Sequence, residues 1–165
     1  MNLFCKKLLP ICLILIITSC GYTLRGNINI PNNIKEISVS ANEYSAIVNS
    51  ISKILISNNI KVTNSKNKDL NRIIILSENF NRRQLSINIT GRVNEYEIIY
   101  TVNFEINSPL GKSSDSIVLY RDYSFDENNI MGNSDREKYI QNQMISTASS
   151  LIFNKLIAKI NNNNN

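Results

Sequence analysis

The spacing of hydrophobic and polar positions changes several times along this chain, and each change marks an element. Ile34 to Ser40, "IKEISVS", alternates with Ile37 and Val39 on one side and reads as a first strand. Ile47, Val48, Ile51, Ile54 and Leu55 then fall on one helical face, behind capping residues from Asn42 to Ser45. Asn58 and Asn59 suit the left-handed residue that stops a helix. "IKVT", Ile60 to Thr63, is a brief extended piece before the polar loop "NSKNKDLN".

From Arg72 the pattern is that of strands. "RIIILSENF" is almost continuously apolar, and "LSINI" sets Leu85, Ile87 and Ile89 on one side. The phase does not carry from Phe80 to Leu85 across "NRRQ", so a bulge or bend belongs there. "TGR", Thr90 to Arg92, supplies a hairpin turn. The clearest alternation follows: Tyr96, Ile98, Tyr100, Val102, Phe104 and Ile106 face one way. Glu95, Glu97, Thr101, Asn103 and Glu105 face the other, as the solvated side of a half-buried strand. After the loop "NSPLGKSSD", Ile117, Leu119, Tyr123 and Phe125 share a face with Arg121 in the same row. The last element is a helix, for which Ser134 and Glu137 form an S-x-x-E capping box. Its core face is Ile140, Met144, Ala148, Leu151 and Ile152.

The predicted order is one strand, a helix, three antiparallel strands and a helix. A sheet of this kind buries one face, so both helices cover that face. The fold class is α+β: a two-layer sandwich with a mostly antiparallel four-stranded sheet and two helices packed on one face. Residues 34–160 form the single domain, and the Asn-rich tail 161–165 is expected to be disordered.

The N-terminus has another pattern. Lys6 and Lys7 precede an apolar run from Leu8 to Ile17, as in a secretory signal. The run is shorter than the ~20 residues that span a bilayer. It ends I-T-S-C at Cys20, an aliphatic residue and two small ones before cysteine, which is a bacterial lipobox. Residues 1–19 are therefore a signal peptide cleaved after Ser19, and 20–33 are the lipidated N-terminus and linker. Cys20 would carry a thioether-linked diacylglycerol and an N-acyl chain, anchoring the protein stably where one chain would not. Gly21, rather than Asp, follows the cysteine, so the expected destination is the periplasmic side of the outer membrane.

Composition narrows the chemistry. Cys5 and Cys12 leave with the signal, so the mature chain has no free thiol and no disulfide. There is no His, which removes His-ligated metals, Ser–His–Asp triads and Cys–His pairs. No nucleotide-binding glycine loop or nucleophile elbow is present. The chain reads as a non-enzyme with neither metal nor diffusible cofactor. The mature charge is +3, a mild bias far from a nucleic-acid-binding signature.

"CGYTLRG", Cys20 to Gly26, resembles the opening of the LptE family of lipopolysaccharide-assembly lipoproteins. "IPNNIKEISVS", "EYEIIYTVNFEI", "LYRDYSFDENN" and the Ser134 helix start are similar to later segments of that family, in the same order. The resemblance implies an outer-membrane lipoprotein plugging the lumen of a large β-barrel of the LptD type. Together the two deliver lipopolysaccharide to the outer leaflet, and the plug helps its barrel to fold. Arg25 would pair with a carboxylate of the domain or of the barrel. Two basic positions of the family fall at Ile89 and Ser134 here. Arg82, Arg83 and Arg92 are then the candidate contacts to lipopolysaccharide phosphates, since guanidinium forks grip phosphate bidentately; Lys112 is a weaker one. The alternative is a free-standing envelope lipoprotein binding a lipid or peptide on its exposed sheet.

Overall fold

The computed structural model describes residues 34–162 apart from 66, 68 and 110. The signal peptide, Cys20, Arg25 and the linker to residue 33 lie outside the described residues. The elements are β1 (Glu36–Ala41), α1 (Ala46–Ser57), β2 (Lys61–Thr63), β3 (Asn71–Ile87), β4 (Val93–Ser108), β5 (Gly111–Ser124) and α2 (Ile130–Asn162). They form one five-stranded sheet in the order β2-β1-β3-β4-β5, with β1 parallel to both neighbours and β3-β4-β5 an antiparallel meander.

The α+β sandwich holds, with five strands rather than four. The extra strand is the "IKVT" segment, which pairs Lys61, Val62 and Thr63 with Glu36, Ile37 and Ser38. Three residues carry too little alternation to declare a strand; a non-local parallel partner creates it.

The core forms where the inward row of β4 meets the helices. Ile98, Tyr100, Val102, Phe104 and Ile106 are buried, as are Ile37, Val39, Ile73 and Ile75 on the neighbouring strands. α1 contributes Ile47, Ile51 and Leu55, and α2 contributes Met144, Ala148, Ile152, Phe153, Leu156, Ile157 and Ile160. Leu151, expected in that row, is 38% exposed, because the buried stripe follows 144, 148, 152 and 156 and leaves 151 about a quarter turn away. Asn59, with φ of 60°, ends α1 as its sequence suggests.

Both helix starts differ from the expected caps. Ser45 at the α1 N-cap makes no capping bond of its own. Its hydroxyl donates instead to Glu78 of β3 at 2.5 Å, and the same carboxylate oxygen accepts from Ile47 N–H at 3.3 Å. Glu78 thus caps α1 from across the fold, while its other oxygen accepts from Tyr100 Oη at 2.6 Å. α2 begins a turn before Ser134: Asn129 Oδ1 accepts from Gly132 N–H, and the Asn129 carbonyl from Asn133 N–H. Ser134 and Glu137 make no capping box, because Glu137 is engaged elsewhere. At its far end α2 runs through Asn162, two residues into the segment expected to be disordered.

Irregularities in β3 decide which side chains reach the helices. Ile75 pairs with Phe104 and Ser77 with Asn103, so Leu76 is an extra residue. That bulge reverses the inward phase, turning Glu78, Phe80 and Arg82 towards the helix layer. Further irregularities at Gln84/Ser86 and Ser86/Ile87 fulfil the expected break near "NRRQ", in one continuous strand. Beyond them the apolar row of "LSINI" stays outside the core: Leu85, Ile87 and Ile89 are 45%, 63% and 105% exposed. The hairpin end there is uncovered by either helix.

Ion pairs reinforce the opposite end. Lys112 Nζ lies 2.5 Å from the buried Glu105 carboxylate and holds it below the usual carboxylate range. Lys155 does the same for Asp115, on the more exposed side facing α2. A depressed carboxylate contributes stability above its unfolded pKa, about 4, and loses that contribution as pH falls through the lower folded value. The melting temperature is therefore expected to hold between pH 7 and 5 and to drop below about pH 4. Glu105→Gln should reduce the acid-induced drop in a pH series of melting curves; an unchanged drop would contradict this assignment. Among the described residues no helix is long and apolar enough to cross a membrane.

Candidate functional site

The β3–β4 hairpin carries all three arginines singled out in the sequence. Its turn is built by Asn88, whose Oδ1 accepts from Thr90 N–H, Thr90 Oγ1 and Arg92 N–H at 2.7–3.0 Å. Gly91 takes φ of 79°, a left-handed conformation that glycine adopts without a Cβ penalty.

The arginines share the hairpin without sharing a face. Arg82 and Arg83 are consecutive on a strand, so they point to opposite sides of the sheet. Arg82 faces the helices, pairing with Glu137 of α2 at 3.0 Å and lying 4.5 Å over the Tyr96 ring. Arg83 faces the open side and meets Glu97 at 2.5 Å. Arg92, in the turn, meets Glu127 of the β5–α2 connection at 2.6 Å. Each candidate cation therefore already has a carboxylate partner, and the three do not converge on one phosphate-sized site. Lys112 is likewise held by Glu105, at the other end of the sheet.

Arg82 belongs to a cluster joining the hairpin to the start of α2. Glu137 accepts from both Arg82 and the Tyr123 hydroxyl, the latter at 2.9 Å, and Gln141 donates to its second oxygen at 3.3 Å. Tyr96 lies against Tyr123, with ring centroids 6.0 Å apart, and meets Phe125 edge-on at 5.2 Å. The Tyr123 hydroxyl, then Glu137, raises Arg82 above its ordinary pKa, against the cost of desolvation. Burial, then the bond to Glu137, pushes Tyr123 up. The guanidinium remains a permanent cation held in a fixed direction.

Sequence reasoning missed the carboxylates of this region. By sequence Glu137 is a capping residue and Glu97 a solvated one, yet the Glu97 side chain is only 14% exposed. The usable signal was the equal spacing of arginines and glutamates from the hairpin turn, which places Arg83 directly opposite Glu97.

The hairpin also defines one pole of the molecule. β1 starts beside the start of β3, and the β4–β5 turn and the C-terminal part of α2 lie at that same end, where Lys159 bonds the Ile106 and Gly111 carbonyls. The described chain thus begins at the pole opposite the arginine-bearing turn. At ~3.3 Å per residue, the 17 residues of β3 separate the two poles by about 50 Å.

Comparison with known proteins agrees with this architecture. The family model described as LptE, lipopolysaccharide-assembly, matches residues 34–156. The LPS-assembly lipoprotein LptE of Photorhabdus laumondii is 22% identical over 99 residues, covering 59% of this chain and 54% of that protein. The match thus spans about half the length of that relative. The crystal structure of rare lipoprotein B from Shewanella oneidensis superimposes with a TM-score of 0.73 at 25% identity, over 79% of this chain and 99% of the other. A solution structure of lipoprotein B from Nitrosomonas europaea gives 0.69 at 23% identity, over 86% and 93% of the two chains, and supports the fold.

Proposed function

The chain belongs to the LptE lipopolysaccharide-assembly family, and from that premise we propose that it is an outer-membrane lipoprotein that plugs an LptD-type β-barrel. In that position it assists both the folding of the barrel and the delivery of lipopolysaccharide to the outer leaflet. The observation that carries the reading is the family match across 34–156, which takes in all five strands and reaches into both helices. The family is one of assembly lipoproteins, and catalysis has no part in it.

The two-pole geometry supports the same reading. Cys20, the proposed lipid attachment, precedes β1 in sequence, and β1 begins at the pole opposite the arginine-bearing turn. The open sheet face carries Ser77, Asn79, Asn103, Thr101 and Ser116 together with the Arg83–Glu97 and Lys112–Glu105 ion pairs, a polar surface of the kind that suits the wet interior of a barrel.

Of the three arginines, Arg92 and Arg83 are the better contacts for a glycolipid phosphate. Both arginine side chains are more than half exposed; the Arg92–Glu127 pair is exposed on both sides and holds by only about 0–1 kcal/mol, so a phosphate displaces that carboxylate cheaply, whereas Arg83 is tied to a Glu97 that is mostly buried and ranks second. Arg82 is the poorest, being fixed by Glu137 and by the Tyr96 ring.

Depletion of the chain in its parent bacterium tests the proposal. Newly made lipopolysaccharide at the cell surface should fall, together with the amount of correctly folded barrel. Unchanged levels of both would overturn the assembly role.

A further inference from the structure

β5 forms the outer edge of the described sheet for 14 residues. Phe125 N–H bonds back to the Asn94 carbonyl of β4, so alternation turns the N–H and C=O groups of Val118, Tyr120, Asp122 and Ser124 outward. A bare edge of this kind recruits other strands. Here it is partly blocked. Arg121 Nη1 donates to the Tyr120 carbonyl at 3.2 Å, and Arg136 Nη1 of α2 lies 3.5 Å from the Ser124 carbonyl. Two guanidiniums thus reach over the edge, and a strand added there would have to displace them.

These two arginines differ from the three of the hairpin. Arg82, Arg83 and Arg92 each hold a carboxylate, whereas Arg121 and Arg136, both exposed, have none among the described residues. Asp122, next to Arg121, points to the opposite face of the sheet beside Glu97, and Asp115 is held by Lys155. Glu137, next to Arg136, is taken by Arg82 and Tyr123. On the open side of the same strand stand Val118 and Tyr120, 43% and 53% exposed. Tyr and Arg are the residue types enriched where interfaces carry most of their energy.

Two features select the partner. The capped carbonyls favour contact through side chains over strand pairing. A closed β-barrel has no free edge to offer, and it meets a guest through the side chains of its polar lumen. The uncompensated cations call for carboxylates, which a guanidinium pairs bidentately at interfaces.

We propose that the outer edge of β5, with Tyr120, Arg121 and Arg136, docks against the inner wall of the barrel on a strip that supplies carboxylates. This rests on the plug reading, and adds which flank of the domain meets the wall and through which chemistry.

Charge reversal gives the test. Arg121→Glu combined with Arg136→Glu, in the tagged full chain expressed in its parent bacterium, should lower the barrel recovered in mild detergent severalfold, because like charges then face each other. Lys138→Glu, the same change of charge at another exposed α2 residue, should leave recovery unchanged. The double variant should melt as the wild type does, which separates a lost contact from a lost fold. Independently, benzoylphenylalanine in place of Tyr120 should cross-link on irradiation to a lumen-wall peptide of the barrel that carries Asp or Glu. If the wild type itself recovers no barrel, the plug reading fails and this proposal with it. If the wild type recovers barrel and the double variant recovers as much, or Lys138→Glu loses as much, this proposal alone is overturned. A position-120 cross-link confined to lipopolysaccharide or to a second copy would overturn it as well.

Discussion

Replacing Glu78 with alanine is expected to destabilise the domain by about 3 kcal/mol, a large loss for one half-buried polar side chain. Three donors converge on this carboxylate: Ser45 Oγ, Ile47 N–H and Tyr100 Oη. Losing a helix N-cap costs about 1 kcal/mol. Leaving the Tyr100 hydroxyl unpaired costs about 1–3 kcal/mol more, since that residue is fully buried. Loss of a negative charge beside the N-terminal dipole of α1 adds about 0.3–1 kcal/mol. In a domain of this size the melting temperature should fall by roughly 10 °C. Glu43→Ala, on the same turn but exposed, is the control and should be nearly silent. Tyr100→Phe removes one of the three donors and should make a subsequent Glu78→Ala less damaging. Equal small effects from Glu78→Ala and Glu43→Ala would show that the carboxylate does not cap α1.

The second large effect concerns position 20. On the proposed lipidation of Cys20, Cys20→Ser removes the thioether and with it the lipid, while leaving the folded residues from 34 onward untouched. A single acyl chain binds a bilayer with an association constant of only about 10⁴ M⁻¹, and further chains add about 0.8 kcal/mol per buried CH₂. The wild-type chain should therefore sediment wholly with membranes, and the variant should move by orders of magnitude towards the soluble fraction. Fractionation and blotting read this directly. A variant that still partitions as the wild type would show that the lipid is not what holds the chain at the membrane. Retention through the barrel alone would be distinguished by its loss in cells depleted of the barrel.

These two effects are rooted at different depths in the sequence. β4 was legible because its inward face is uniform: every second residue from Tyr96 to Ile106 is apolar and turns inward, Ile99 alone breaks the polar row, and the strand is flanked on both sides. The α1 stripe was legible for the same reason, with Asn59 marking its end. β3 was legible only in part. Its run "RIIIL" is apolar on both sides, so nothing in it announces that Leu76 bulges and passes the inward role from Ile75 to Glu78. A polar residue turned inward by a bulge looks like any surface glutamate until its donors are known, and all three donors are more than twenty residues away in sequence. "LSINI" misled for a related reason. Alternation records only that one side is apolar, and the cover expected there, a helix, is absent from that end of the hairpin.

The functional residues followed the same rule. Arg82, Arg83 and Arg92 were visible as cations near a turn, but their partners Glu137, Glu97 and Glu127 depend on tertiary placement. Strand alternation alone could have separated Arg82 from Arg83. The α2 start illustrates a competition: Ser134 and Glu137 match a capping box, yet Asn129 caps one turn earlier, and Glu137 is stabilised better by Tyr123 and Arg82. The "IKVT" piece became a strand only because β1 lay parallel beside it.

The plug role stands or falls on purification of a C-terminally tagged chain from membranes in mild detergent, with the co-purifying proteins identified and their stoichiometry determined. A large outer-membrane β-barrel of the LptD type is expected, in a one-to-one complex that survives high salt. Recovery of the chain without any barrel would contradict the role, and would leave a lipoprotein that acts on its own.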